Sequence, residues 1–165
     1  LVDEDPKRAK VAITQLSNIL RNTLMMHKNR YISLDDELVL VKDYLELEHV
    51  RFEERLRYKL NIDPETLSLS VPPMMIQTLV ENGIKHGVSK MPEGGEIAIT
   101  TSKNDTDFKI EIINSGQLST DNKPDSGFGI ENTTNRLELL FGKKASFSLK
   151  NLDNHNVIST IIIKT

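Results

Sequence analysis

One segment of the chain, residues 74–88, carries the side chains best suited to chemistry. Its periodicity predicts a helix whose core face is formed by Met75, Ile76, Leu79, Val80 and Ile84. The polar residues recur at helical spacing and form a second stripe, which consists of Thr78, Glu81, Asn82, Lys85, His86 and Ser89. The same division into two faces is typical of an ordinary amphipathic surface helix.

Two features of this polar stripe favour a ligand site over an ordinary surface. Asn82 is a poor residue for the middle of a helix, because its amide competes for backbone hydrogen bonds. It also lies beside Glu81 and one turn before Lys85 and His86. An amide oxygen, a carboxylate, an ammonium and an imidazole on one patch could hold a hydrated Mg²⁺ and the phosphates that it bridges.

Glycines provide a second group of candidate residues. Asn114 and Gly116 follow a predicted strand, and Gly127 and Gly129 stand at the start of a predicted helix. Glycines at a helix start let backbone N–H groups approach a phosphate, whose charge the helix dipole favours. A lone Gly-x-Gly is a weak signal, since a loop with a helix cap also explains it. The chain has neither a Walker motif nor a full Gly-x-Gly-x-x-Gly.

The elements that position these residues follow from the hydrophobic pattern. Helical spacing runs from Ala9 to about Met26, and Ser33 is expected to cap a second helix, with acidic residues in its first turn, that ends near Phe52. The pattern further predicts helices at 74–88 and 129–141, a long loop at 114–128, and strands at 56–62, 96–101, 108–113, 145–150 and 157–163. This order predicts an α+β two-layer sandwich, in which helices cover one face of a mixed, mostly antiparallel sheet. The two N-terminal helices would precede it as an appendage.

Composition narrows the class of protein. The chain has 165 residues, of which 38% are hydrophobic and 27% charged, and these values are typical of one globular domain. The net charge of −3 argues against a nucleic-acid partner, and the absence of Cys excludes a thiol nucleophile and cysteine-ligated metals. No apolar run reaches the ~18–20 residues that span a bilayer. Because the chain begins at Leu1 without Met, we expect it to be part of a longer protein.

The order of these features resembles the ATP-binding domain shared by sensor histidine kinases, DNA gyrase and the MutL-type ATPases. Within that superfamily the chain is similar to the LytS-type sensor histidine kinases. The similarity covers nearly the whole chain and rests on motifs at residues 33–38, 44–48, 51–56, 72–87, 127–132 and 136–137. The run Leu-Val-Glu-Asn-Gly-Ile-Lys-His-Gly at residues 79–87 is its strongest element, and the glycine motifs are weaker.

The resemblance implies a role for each candidate residue. Asn82 would coordinate Mg²⁺ between the helix and the triphosphate, Lys85 would meet phosphate, and His86 would line the pocket near the ribose. Glu81 would be the catalytic residue that orients or deprotonates the attacking group. Residues 115–126 would form a mobile lid over ATP. The remaining nucleotide contacts would come from Asn114, Gly116, Gly127, Gly129 and Ile130.

The resemblance also implies the wider function. The chain would be the ATP-binding catalytic part of a homodimeric two-component kinase, which transfers the γ-phosphoryl group of Mg-ATP to a histidine for relay to a response regulator. Residues 1–54 would end the dimerisation region and connect it to a catalytic domain at 55–165. The acceptor histidine is expected upstream, because the family's acceptor motif surrounds none of His27, His49, His86 and His155. We expect the cytoplasmic portion of an inner-membrane sensor, with membrane contact only through upstream segments.

Three departures from the family pattern leave alternatives open. Asn114 stands where the family usually has an Asp that accepts a hydrogen bond from adenine, and Gly116 lacks the second glycine expected after it. The Gly-Thr usual before the last strand is replaced by Ser159-Thr160. These changes predict weaker or slower nucleotide use, and they motivate the alternative of a degenerate module that only binds or regulates. A gyrase or MutL relative is a third possible reading, against which the helix at residues 44–52 argues.

Overall fold

The computed structural model describes residues 29–118 and 128–164, together with residues 6, 9, 10, 13, 14, 16 and 17 of the N-terminal segment. For residues 128 and 129 only the backbone is described. The described N-terminal positions are helical, as the periodicity from Ala9 predicts. The remainder of that predicted helix, His27, Gly127 and most of the predicted lid lie outside the described residues.

A long helix, α1, spans Leu34–Phe52 and begins and ends where the sequence predicts. Ser33 is its N-cap, and the Ser33 hydroxyl accepts the backbone N–H of Asp36 at 3.1 Å. The apolar stripe of α1 is buried in the same hydrophobic core as the sheet, through Leu34, Leu38, Val41 and Leu45. The expectation that this helix is an appendage is therefore wrong, because the rest of the domain covers its apolar face. A boundary at residue 54 stays a prediction.

Five strands form the main sheet: β2 (Leu56–Asn61), β4 (Gly95–Lys103), β5 (Asp107–Ser115), β6 (Ala145–Asn151) and β7 (Asn156–Lys164). Their spatial order is β2-β4-β5-β7-β6, in which β2 and β4 are parallel and all other neighbours are antiparallel. The mixed, mostly antiparallel sheet that the sequence predicts is confirmed. A separate antiparallel pair, β1 (Ile32–Ser33) with β3 (Ser70–Val71), was not predicted, because two residues are too few to show an alternation.

Helices α2 (Met75–His86) and α3 (Phe128–Phe141) lie close to their predicted ranges. Strands β4 and β5 alternate between buried and partly exposed residues, so one face of the sheet points into the core. Side chains from both helices and the sheet meet there, among them Ile76, Leu137 and Ile110. The predicted two-layer α/β fold is confirmed. None of the helices among the described residues combines the length and the apolar character that a membrane crossing requires.

Candidate functional site

The second half of α2 presents the polar side chains singled out by the sequence. Asn82 is half-buried, and its amide nitrogen is shielded from solvent without a hydrogen-bond acceptor among the described residues. A buried donor left in this way costs about 1–3 kcal/mol. A ligand or a water molecule that accepts a hydrogen bond from this nitrogen would satisfy it. Lys85 is exposed and His86 half-buried one turn further on.

Three glycines let the last turn of α2 lie directly against the end of β5. A Cβ atom on Gly83 would lie 3.0 Å from the Cβ of Asn114, and one on Gly87 would collide with the carbonyl oxygen of Ser115. Gly116 has φ +132°, and a Cβ atom there would approach the Cα of Gly87 to 2.8 Å. The absence of side chains thus brings the helix with the polar stripe into contact with Asn114.

The amide of Asn114 is held in one orientation. Asn114 is only 8% exposed, and its Nδ2 donates to the carbonyl oxygen of Ser115 at 3.0 Å. Ser115 is fixed in turn, because its hydroxyl accepts the backbone N–H of Glu96 at 2.9 Å. The side-chain oxygen of Asn114 lies on the side of α2, where a Cβ atom on Gly83 would be 3.1 Å from it. The donor is satisfied within the protein, and both ends of the amide lie against the last turns of α2.

The chain beyond Gly116 is attached to the turn between β6 and β7. The backbone N–H of Gly116 donates to the carbonyl oxygen of His155 at 2.8 Å. Gln117, the residue after Gly116, donates from its side-chain amide to the carbonyl oxygen of Asp153 at 2.7 Å. The segment predicted to become a lid therefore starts from a fixed point beside the β6–β7 hairpin.

Only part of the second glycine motif, Gly127 to Ile130, lies among the described residues. Gly129 lies in the first turn of α3, and Ile130 is half-buried against the core. Gly127 lies outside the described residues. The helix start that the sequence predicts is present, and the contacts of these three residues with a nucleotide stay predictions.

Glu81 belongs to a polar cluster between α1 and α2. Its Oε1 accepts a hydrogen bond from Nε2 of Gln77 at 2.8 Å. Burial raises the pKa of Tyr44 and of Glu48 on α1, and the negative charge of Glu81 adds to both increases. Neighbouring helical residues point about 100° apart, so Glu81 and Asn82 have different surroundings. A catalytic role for Glu81 stays a prediction.

Comparison with known proteins identifies the relatives of this chain. The Histidine kinase family model matches residues 1–56. The chain is 32% identical over 161 residues to the Sensor protein LytS of Staphylococcus saprophyticus, and 31% identical over 163 residues to the Sensor histidine kinase/phosphatase LytS of Staphylococcus aureus. This chain is homologous to the LytS-type sensor histidine kinases. The matches cover 90% and 91% of this chain but only 27% and 28% of those relatives, so it spans little more than a quarter of their length.

Solved structures agree on the fold of this chain. The catalytic domain of histidine kinase ThkA superposes with a TM-score of 0.62 at 19% identity, covering 81% of this chain and 93% of that one. The histidine kinase domain of Erythrobacter litoralis EL346 gives a TM-score of 0.61 at 13% identity, covering 91% and 79%. At these identities the likeness shows the fold alone, which is that of histidine kinase catalytic domains. The relatives favour a sensor kinase over the gyrase or MutL alternative.

The sequence interpretation missed a role for Glu37. It treats Glu37 as one of the acidic residues in the first turn of α1, whereas the side chain is fully buried. A signal was present, because Glu37 stands three residues after Leu34 and four before Val41 on the apolar stripe. Its carboxylate accepts three backbone N–H groups at the start of α2, from Met74 at 2.7 Å, Ile76 at 2.9 Å and Gln77 at 3.2 Å.

Proposed function

We propose that this chain is the ATP-binding catalytic part of a two-component sensor histidine kinase. A histidine nitrogen upstream of the catalytic domain would attack the γ-phosphorus of ATP. The new P–N bond would form as the bond from the γ-phosphorus to the bridging oxygen breaks, and ADP would leave. The sequence relationship to LytS proteins and the catalytic-domain fold support this proposal.

The observation that carries the proposal is the contact between α2 and the end of β5. Gly83, Gly87 and Gly116 have no side chains where Cβ atoms would meet Asn114 or neighbouring backbone. The contact unites a helix that bears an unsatisfied amide, a cation and an imidazole with a strand end that bears a buried hydrogen-bond acceptor. A purine with a triphosphate needs groups of both kinds, since its base is read by hydrogen bonds and its phosphates by cations and N–H donors.

Each residue of the stripe would have a separate task. The Asn82 side chain would bind the metal through its oxygen, and the nitrogen that now has no acceptor would donate to the nucleotide. Lys85 would neutralise phosphate charge, and His86 would lie near the sugar. Mg²⁺, when bound, supplies positive charge on the β- and γ-phosphate oxygens. Among the described residues no group of three or more His, Cys, Asp or Glu side chains is arranged as a metal site, so the ion would be shared between Asn82 and the phosphates.

Titration of the chain with ATP by calorimetry, with and without Mg²⁺, tests the proposal. We expect Mg²⁺-dependent binding in the micromolar to millimolar range. Asn82→Ala should abolish the Mg²⁺-dependent part while the far-UV circular dichroism stays unchanged. Asn135→Ala, at an exposed position of α3, is the matched control and should bind like the original chain. Normal Mg-ATP binding by Asn82→Ala would show that the site is assigned wrongly.

The same titration decides between the kinase and the degenerate module. Asn114 in place of Asp removes a charge from the expected adenine contact, and the resulting hydrogen bond is weaker. If ATP at millimolar concentration does not bind to the original chain but binds to Asn114→Asp, the site has the right shape and has lost affinity. If neither binds, a regulatory module without nucleotide is the better description.

The partners of the proposed kinase are a response regulator and a second copy of the longer protein. Histidine kinase ThkA has been solved in complex with the response regulator protein TrrA, and that structure superposes on this chain with a TM-score of 0.59 at 19% identity. The ATP-binding part would face the cytoplasm, where ATP is available. Phosphorylation of a purified response regulator by the longer protein, dependent on ATP and lost in Asn82→Ala, tests these partners together.

A further inference from the structure

We infer that Glu37 is a positioning residue for the nucleotide site: its carboxylate on α1 fixes the first turn of α2, the helix that presents Asn82, Lys85 and His86. This inference rests on the proposed ATP-binding function, because it concerns the same site. It adds a connection between that site and α1.

Helix α2 has no side-chain cap of its own. Its N-cap residue is Met74, whose φ of 60° and ψ of 16° place it in the left-handed region and whose side chain has no oxygen to accept an N–H. A helix leaves its first four N–H groups without partners in the helix, and an ordinary N-cap side chain satisfies one of them. The carboxylate of Glu37, which belongs to α1, accepts three backbone N–H groups at the start of α2.

Arg136 of α3 holds the segment just before the helix. Its Nη1 donates to the carbonyl oxygen of Pro73 at 2.9 Å. Burial raises the pKa of Glu37 to about 7, and this increase is opposed by the three N–H groups and by the charge of Arg136. The start of α2 is therefore fixed by polar contacts from two other helices.

The first turn of α2 borders a pocket on the side of α3. A cavity of about 170 Å³ lies there, between Met75 and Thr78 of α2 and Thr133 and Arg136 of α3. Side chains that line such a pocket have fewer protein atoms in contact there, so packing restrains the turn less on this side. The hydrogen bonds to Glu37 supply the restraint from the side of α1.

A displacement at the first turn of α2 reaches the polar stripe because the helix is short and continuous. It has 12 residues, and Asn82 follows Ile76 by six positions, which is about 9 Å along the axis. The backbone hydrogen bonds of a continuous helix make a segment of this length move as one body, so a shift of the bonded turn displaces Asn82 as well. The orientation of α1 and the geometry of the nucleotide site are linked through one carboxylate.

The test compares Glu37→Gln with the original chain. The substitution keeps the shape but places an amide NH₂ where backbone N–H groups need an acceptor. Two readouts are taken at a temperature where circular dichroism shows the variant folded: the Kd for Mg-ATP by calorimetry, and amide hydrogen exchange across α2. Asp35→Asn removes the same charge from an exposed position of the same turn, and Ile97→Val loosens the core elsewhere. Glu37→Asp, which withdraws the carboxylate by one carbon, replaces Glu37→Gln if that variant does not fold.

We expect the Kd of Glu37→Gln to rise roughly tenfold, the size typical of groups that orient a ligand-binding residue. Amide hydrogen exchange should accelerate from the first turn of α2 through residues 82–86. Both control variants should bind Mg-ATP like the original chain. Unchanged ATP binding by folded Glu37→Gln, or faster exchange that stops before residue 82, would overturn the inference and leave Glu37 as a helix cap only. If the original chain does not bind ATP, the proposed function fails separately, and the exchange at residues 82–86 still decides whether Glu37 positions the helix.

Discussion

Gly87 and Asn114 approach each other so closely that a Cβ atom on Gly87 would lie 2.8 Å from Nδ2 of Asn114. One residue ends α2, and the other lies near the end of β5. Their contact closes the edge of the proposed site, because it sets the distance between the polar stripe and the buried amide.

Gly87→Ala should damage both the fold and the site. The new Cβ would collide with the carbonyl oxygen of Ser115, which belongs to rigid backbone, so the helix end must move. Overpacking of this kind typically costs about 1–3 kcal/mol, which urea unfolding can measure. We expect Mg-ATP binding to be lost as well. Gly142→Ala is the control: Gly142 has φ +55° but no atom within 4 Å of a Cβ, so the strain should lower stability without affecting ATP.

Asn114→Asp should lower the stability of the fold and raise the affinity for ATP. The hydrogen bond that the Asn114 amide donates to the Ser115 carbonyl oxygen at 3.0 Å is lost, and a carboxylate cannot donate in its place. The free energy of unfolding should therefore fall by about 1–2 kcal/mol. A charged acceptor makes a stronger bond to an adenine amino group, and we expect ATP to bind a few-fold more tightly. Calorimetry with ATP and with GTP measures this effect. An equal gain for GTP would contradict an adenine contact at this position.

Lys85→Ala should weaken ATP binding through charge. Lys85 is exposed, so its attraction for phosphate is screened by salt, and its removal should raise the Kd about three- to tenfold at low ionic strength. The difference from the original chain should shrink as NaCl is added. Lys90→Ala removes an equally exposed charge just beyond α2 and should have little effect. Equal losses in the two variants would show a general effect of net charge.

The stability of the chain should depend on the protonation of Glu37. Burial raises its pKa from 4.5 to about 7 in the folded state. Between these values the folded state holds the proton more firmly than the unfolded chain, so stability falls as pH rises from about 4.5 to 7, by about 3 kcal/mol in total. Urea unfolding at pH 5 and pH 8 should show this component in the original chain and not in Glu37→Gln. Parallel pH profiles for the two proteins would contradict the shift.

Much of the fold could be predicted because the types and spacing of neighbouring residues indicate the local secondary structure. The alternation along residues 96–101 and 108–113 predicts a hairpin, and β4 and β5 pair as antiparallel neighbours. Ser33 predicts a helix start because its hydroxyl can accept the backbone N–H of Asp36, three residues later, and this contact needs no distant part of the chain. The position of α1 before every main strand made it look separate, and a stripe of apolar residues does not say which surface covers it.

The sequence by itself determined the helices, the main strands and which side chains share the polar stripe of α2, because hydrophobic period and capping depend on residues a few positions apart. It also identified Asn114 and Gly116 as candidates through their order along the chain. Only the tertiary structure decided that Gly83 and Gly87 let helix and strand touch, and that Glu37 caps a helix beginning 38 residues later. Those contacts join distant parts of the chain, and burial turns an apparently ordinary acidic residue of a first turn into the acceptor for three backbone N–H groups.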